Sequence, residues 1–405
     1  MSRTIAVMLS RFPTVTETFI LRELVEMERQ GQPIRLVPMI EESPPVIHES
    51  AKPWIGRALY IPFLSAGIVG SNLLTLLRNP LHYANVLARL VAGTIKSPGT
   101  LARTLVLFPK SVALARRLTR EGIRHIHVHF ASHPATMALI VAQFSAITFS
   151  FTVHAQDIQV DRSLLDWKMR EARFVRACTG FNKRFLEELY PRDAAAKIIV
   201  VHYGVDPDLY RARHATGPSA RPVILSVASH KPYKGLTFLI EAARILRDEG
   251  LDFEVHLIGA GPLRGQLERQ IRDARLEDRV LLLGPRGEEE VAQRLADAAF
   301  FVLPSIVQKN GKMEGMPNAL IEAMASGCAV ISTPTSGIPE LVDPDVNGLL
   351  VAPENARALA DAMRTLLTDP ERALRMGEHG RERVRRDFDI HAAVAQLLKR
   401  LQAET

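Results

Sequence analysis

The chain has 405 residues, two to three times a domain of roughly 100 to 200 residues, so two domains are expected and a single small binding module is excluded. Its 47% apolar and 23% charged residues are those of a globular protein with large cores, which excludes a disordered or collagenous chain. Lys and Arg outnumber Asp and Glu by 51 to 44, and this excess is local: Ser50 to Arg120 holds ten basic residues and no acidic one.

The opening segment carries Arg11 and Glu17 where a signal peptide would stay apolar, and no apolar run approaches the roughly 18 to 20 residues that span a bilayer. The chain is therefore expected in the cytoplasm. TIAVML (4–9) and PIRLVPM (33–39) read as strands buried on both faces, separated by the helical pattern ETFILRELVEMERQG, which opens with a capping-box spacing from Thr14 to Glu17. The basic stretch follows: Lys52, Arg57, Arg78, Arg89, Lys96, Arg103, Lys110, Arg116, Arg117 and Arg120, interleaved with LYIPFLSAGIVG, SNLLTLL and TLARTLVLF. These runs are too short to span a membrane but suit lying on one, and each nearby Lys or Arg adds on the order of 1 kcal/mol at an anionic leaflet. The strands IHVHF (126–130), FSFTV (149–153), FVRAC (174–178) and KIIVV (197–201) complete the first series.

After Tyr203, GVDPDLYRARHATGPSARP lacks apolar periodicity and reads as a linker. A second alternation has strands at 222–228, 253–259, 279–284, 300–304 and 329–333, with helices between them. Two βα series imply an α/β protein of two facing, doubly wound Rossmann-like domains with a cleft between them. The expected boundaries are 1–205, with a basic and apolar helical insertion around 50–120; 206–385; and a C-terminal helix, 386–405, returning to the first domain.

Ligands in such sheets bind beyond the carboxyl ends of the strands, which directs attention to the βα loops. EGMPNALIEAMASGCAVISTPTSGIPELV places Glu314 in a loop, Pro317 at a helix start and Glu322 inside the helix, so two carboxylates can hold two hydroxyl-bearing parts of one ligand. A solvated loop acid and a helix-surface acid would give the same spacing. ILSVASHKPYKG puts Lys234 at a helix start, with His230 and Lys231 just before it, placed to meet phosphate oxygens. LIGAGPLRG, with Gly259, Gly261 and Gly265, reads as a glycine-rich turn near the ligand; its last spacing is wrong for a dinucleotide fingerprint.

In the first domain, FTVHAQDI sets His154 and Asp157 past a strand end, where the histidine can donate to a sugar hydroxyl or be a buried core residue. His125, His127, His129 and His133 fall close together; taking them as divided between opposite faces of their strand argues against a metal site. The DPD triplets at 206–208 and 343–345 are explained by turn chemistry, and Cys178 and Cys328 as small core residues. Nucleic acid has little support as a partner, because the basic stretch is interleaved with aliphatic residues and lacks aromatic platforms.

Together these residues resemble retaining glycosyltransferases of the GT-B fold, family 4. The likeness rests on the Glu314 to Glu322 pair and the small-residue stretch after it, with FVLPS, GAGPL and VHYGVDPDLY in the same order. LSRFPTVTETFILREL, HVHFASHPATMAL and FTVHAQDI are similar to a narrower, colanic-acid-type branch acting in exopolysaccharide or lipopolysaccharide assembly. The resemblance implies a nucleotide-sugar donor, a lipid-linked saccharide acceptor, a peripheral location at the inner face of the cytoplasmic membrane, and no cofactor or metal. By the same likeness Glu314 contacts the donor sugar, Gly261, Gly315, Met316, Pro317 and Asn318 line the donor loop, Glu322 holds the ribose, and Lys234 grips the diphosphate. His154 would sit near the transferred sugar. Two departures stand out. Ser229 and Ala228 occupy the positions where the family has an arginine, leaving Lys231 or His230 to replace its charge, and Ser10, Arg11, Phe12 and Pro13 replace a glycine-rich first loop. A sugar-nucleotide epimerase and a non-catalytic membrane-associated binding protein remain as alternatives.

Overall fold

The apolar runs of the first half form one parallel sheet. Its strands are β1 (Ile5–Phe12), β2 (Ile34–Glu41), β3 (His125–His129), β4 (Thr148–Val153), β5 (Val175–Ala177) and β6 (Ile198–Val200), ordered β2-β1-β3-β4-β5-β6. In this computed structural model the residues described are 3–14, 18–43, 47, 49–191, 196–210 and 221–404. β1 and β3 are buried on both faces along most of their length, as continuous apolar strands between two helical layers require. The helix Thr18–Arg29 buries Ile20, Leu21, Leu24 and Met27, the i, i+3, i+4 spacing of one face. The capping-box expectation from Thr14 to Glu17 lies outside the described residues.

The second half forms an equivalent sheet, ordered β12-β11-β10-β7-β8-β9, from β7 (Val223–Val227), β8 (Glu254–Ile258), β9 (Val280–Gly284), β10 (Phe300–Val302), β11 (Val330–Ser332) and β12 (Gly348–Leu350). The edge strand β12 was not anticipated from the sequence: three residues after a turn carry too little periodicity to announce themselves. The chain divides into residues 1–202 with 392–405, and residues 203–391. The end of the helix Ile390–Gln402 belongs to the first unit, where Gln402 bonds to Gln32 at 3.2 Å and the Arg400 guanidinium lies 5.1 Å from the Phe174 ring.

Three helices, Ala66–Arg78, Pro80–Thr94 and Pro98–Arg120, make up most of the expected insertion. Half of its ten basic residues are engaged by other side chains or by burial, most of them at the surface. Lys52 pairs with Glu49, Arg57 with Glu28 and Arg117 with Glu121; Arg89 stacks 3.8 Å from the Trp167 ring centroid. Lys110 is buried, donating to the Met39 carbonyl at 2.6 Å, and burial pulls its ammonium down to about 8. Arg78, Lys96, Arg103, Arg116 and Arg120 form no ion pair among the described residues. The helix Ala66–Arg78 exposes Val69, Leu73, Leu76 and Leu77, at i, i+4, i+7 and i+8, and Leu81 follows at 83% exposure. No described helix is long and apolar enough to cross a membrane.

Candidate donor and acceptor sites

In an open parallel sheet the ligand crevice lies beyond the carboxyl ends of the strands where strand order reverses. In the second unit this point falls between the neighbours β10 and β7. The chain leaving β7 makes a 3-10 turn, Pro232–Lys234, then reverses through Gly235 at φ 67° into the helix Leu236–Asp248. A Cβ on Gly235 would lie 1.9 Å from the Pro304 carbonyl oxygen, so glycine is what allows the loops after β7 and β10 to touch. The Ile306 N–H seals that contact by donating to the Tyr233 carbonyl at 2.9 Å.

This apposition brings Lys234 to Glu314, 80 residues away in sequence. Their side chains form an ion pair at 13% and 16% exposure. Gly315, Met316 and Pro317 continue into the helix Asn318–Ala325, where Pro317 is the N-cap, the Gly315 carbonyl accepts from Gly337, and Glu322 lies half-buried within the first turns. Gly261 acts through its backbone: at φ 157°, a Cβ would meet the His230 backbone at 2.7 Å, and the glycine turn packs against the β7 loop through His230 N–H to the Ala260 carbonyl, 2.8 Å. The two replacement cations suggested by the sequence separate here. His230 is fully buried, its ring nitrogens lack hydrogen-bond partners among the described residues, and burial lowers its pKa, which keeps it neutral; Lys231 is exposed. The buried Ser305 and Ser336 hydroxyls likewise have no partner among the described residues, the condition in which a water or ligand completes the bonding.

In the first unit, His154 ends β4 and caps the short helix Ala155–Gln159. The Asp157 N–H donates to the His154 carbonyl at 3.2 Å, and the Asp157 carboxylate accepts from the His154 N–H at 2.8 Å. Burial, with His129 and Arg176 nearby, holds the His154 pKa well below its usual value. The neutral ring keeps one N–H donor and one acceptor nitrogen. Asp157 also accepts from the Ala131 N–H; burial pushes its carboxyl up to about 7 against the pull of these donors. Lys168, buried beneath, donates to the carbonyls of Ala131, Ser132 and Ser163 at 2.8 to 3.2 Å. Lys168 pins the β3 loop beside His154, a role no sequence motif announced.

The histidine row corrects the sequence reading. Residues two apart share a strand face, so His125, His127 and His129 are not divided. His125 and His127 bond to Thr148, Ser150 and Thr152 on β4, at 2.7 to 2.9 Å. Glu23, His127 and His129 are close enough to share a metal ion. Arg176, however, is already ion-paired with Glu23 and holds its carboxyl well below the ordinary range despite the opposing effect of burial, while both ring nitrogens of His127 are engaged.

A pH dependence follows. Burial lowers His125 to about 3 and His127 and His154 well below 6.5. Their folded pKa values lie below the unfolded one, so their contribution is complete above about 6.5 and is lost as pH falls, at up to about 1.4 kcal/mol per pH unit each. Asp157, raised from 3.8 to about 7, works in the opposite direction between those values. Denaturant melts are expected to show stability falling from pH 7 to pH 5, more steeply in Asp157→Asn; a flat profile would contradict these protonation states.

Comparison with known proteins places both units. The family described as Glycosyltransferase Family 4 matches residues 72–209, and Glycosyl transferases group 1 matches residues 212–383. The chain is 39% identical over 208 residues to the amylovoran biosynthesis glycosyltransferase AmsK of Erwinia amylovora, and equally to the putative colanic acid biosynthesis glycosyltransferase WcaL of Escherichia coli K12. Each match covers 51% of both chains, so the chain spans about half the length of these curated relatives. HepE of Anabaena, solved with UDP, shares the fold at a TM-score of 0.71 and 17% identity, covering 99% of this chain and 100% of its own.

Proposed function

We propose that this chain, which belongs to the glycosyltransferases of the two families it matches, moves a sugar from a nucleotide-sugar donor to a saccharide acceptor in bacterial surface polysaccharide synthesis. The observation that carries this reading is the Lys234–Glu314 pair at the strand-order reversal of the second unit, where a cation and a carboxylate on two touching loops suit a diphosphate and its sugar. The relatives named for amylovoran and colanic acid synthesis support the polysaccharide assignment.

The proposed mechanism is front-face transfer with retention. The bond from the anomeric carbon to the donor phosphate breaks, the acceptor hydroxyl attacks from the same face, and a donor phosphate oxygen takes its proton. Lys234 stabilises the departing diphosphate, Glu314 and the Gly315–Asn318 loop orient the sugar, Glu322 holds the ribose hydroxyls, and His154 donates to a sugar hydroxyl. Positioning and preorganised charge supply the acceleration, with no protein nucleophile. No metal is assigned, since Lys234 already supplies positive charge to the leaving group; turnover undiminished by EDTA checks this.

A thermal-shift panel of sugar nucleotides tests the donor, because a ligand of the folded state raises its melting point. Consumption of the bound donor only when saccharide is present separates transfer from epimerisation. Absence of binding across UDP-, GDP- and dTDP-sugars would overturn the reading.

The acceptor is assigned as lipid-linked, and the protein as peripheral on the inner face of the cytoplasmic membrane. The exposed Val69, Leu73, Leu76 and Leu77 lie in the same helix as Arg78, Leu81 opens the next, and Arg116 and Arg120 share the depression of Arg78. The three cations of that depression, without an ion pair among the described residues, contribute on the order of 3 kcal/mol near an anionic leaflet at low salt. Co-sedimentation with vesicles containing phosphatidylglycerol is expected at low salt and should weaken at high salt and in Leu73→Ser/Leu77→Ser/Leu81→Ser. Failure to bind at low salt would remove the assignment.

A further inference from the structure

We infer that Lys312 is a second phosphate-binding cation of the donor site, an inference that rests on the nucleotide-sugar reading above. The loop after β10 is a built turn: Gly311 N–H donates to the Gln308 carbonyl at 2.8 Å, Gln308 N–H to the Lys312 carbonyl at 2.9 Å, and Lys312 N–H to Asn310 Oδ1 at 3.1 Å. Its base is tied to the β7 loop through Ile306 and Tyr233. The buried Tyr233 ring therefore has two ammonium groups about it, Lys234 Nζ at 5.6 Å from the centroid and Lys312 Nζ at 5.4 Å. Both are held within cation–π range of one aromatic ring.

The two lysines differ in charge balance. Lys234 is paired with Glu314, so that pair contributes no net charge, whereas Lys312 has no carboxylate partner among the described residues. Across the two loops Lys231, Lys234, Lys309 and Lys312 stand against Glu314, and of the lysines outside that ion pair Lys312 is the one held against the Tyr233 ring beside Lys234. Two ammonium groups held about one ring repel each other, and an anion bonded to both relieves that repulsion. A diphosphate, with charge on each phosphoryl group, fits this demand better than a monophosphate. His230 cannot serve, being buried and neutral, and the exposed Lys231 is not held against the ring. Lys312 lies two residues before Glu314 in a loop without a recognisable phosphate motif, so nothing in its local pattern marks it out.

The test is calorimetry of the full chain with UDP and GDP, and with UMP and GMP, on wild type, Lys312→Ala, Lys312→Arg and Lys231→Ala. A charge-assisted phosphate contact corresponds to roughly a 10- to 100-fold loss of diphosphate affinity in Lys312→Ala. Monophosphate affinity is expected to stay within about twofold, and Lys312→Arg to recover most of the loss, since it restores the charge. An unchanged melting temperature of unliganded Lys312→Ala confirms that the fold is intact. Equal diphosphate affinity in wild type and Lys312→Ala, or a loss found in Lys231→Ala instead, overturns the role of Lys312 and leaves the donor reading standing. If the wild type binds neither diphosphate, both fall.

Discussion

Lys234→Ala and Glu314→Ala are each expected to lower turnover at least about a hundredfold with melting temperatures close to wild type. Removing one preorganised group that stabilises developing charge costs roughly a hundred- to a thousandfold. The two side chains are partly exposed partners at a loop junction, and they support no core, so their loss should spare the fold. The two variants should separate kinetically. Without Lys234 the diphosphate loses its counter-charge, so kcat falls and binding of the free nucleoside diphosphate weakens. Without Glu314 the sugar loses its orientation, so kcat falls while affinity for the free nucleoside diphosphate is largely kept. Steady-state rates paired with calorimetry check both, and near-normal turnover in either variant would refute its assigned role.

Arg176→Met is expected to destabilise the first unit by about 3 to 5 kcal/mol, the cost of leaving a buried charge without its partner. Arg176 is 1% exposed; besides its ion pair with Glu23 it donates to the carbonyls of Val201 at 3.0 Å and His202 at 3.2 Å. Met fills much of the volume but leaves the Glu23 carboxylate buried beside His129 alone. Glu23→Gln/Arg176→Met should recover most of the loss, because the stranded charge is gone. Denaturant melts of the two single variants and the double give the coupling energy; additive losses would show that Arg176 acts by its size and carbonyl contacts rather than as the counter-charge.

The legibility of this protein follows how far each feature reaches along the chain. Strands and helices were legible because apolar runs and 3.6-residue periodicity are local, and they fixed most elements of both sheets; β12 escaped because three residues hold no period. The candidate donor-site residues were legible as a motif, since Glu314 to Glu322 spans one loop and one helix. The histidine row was misread although its face follows from a two-residue period, an error of geometry rather than a missing signal.

By itself the sequence determined which segments become strands, where loops enter helices, and that the basic residues concentrate between 50 and 120. Tertiary structure alone decided that Lys234 meets Glu314, that Arg176 neutralises Glu23 across 153 positions, that Lys312 shares a ring with Lys234, and that Lys110 of the basic stretch is buried while Arg57 and Arg89 are engaged at the surface. The physical reason is that periodicity encodes which face of an element is buried, whereas the meeting of distant charges depends on strand order, and many strand orders satisfy the same local pattern.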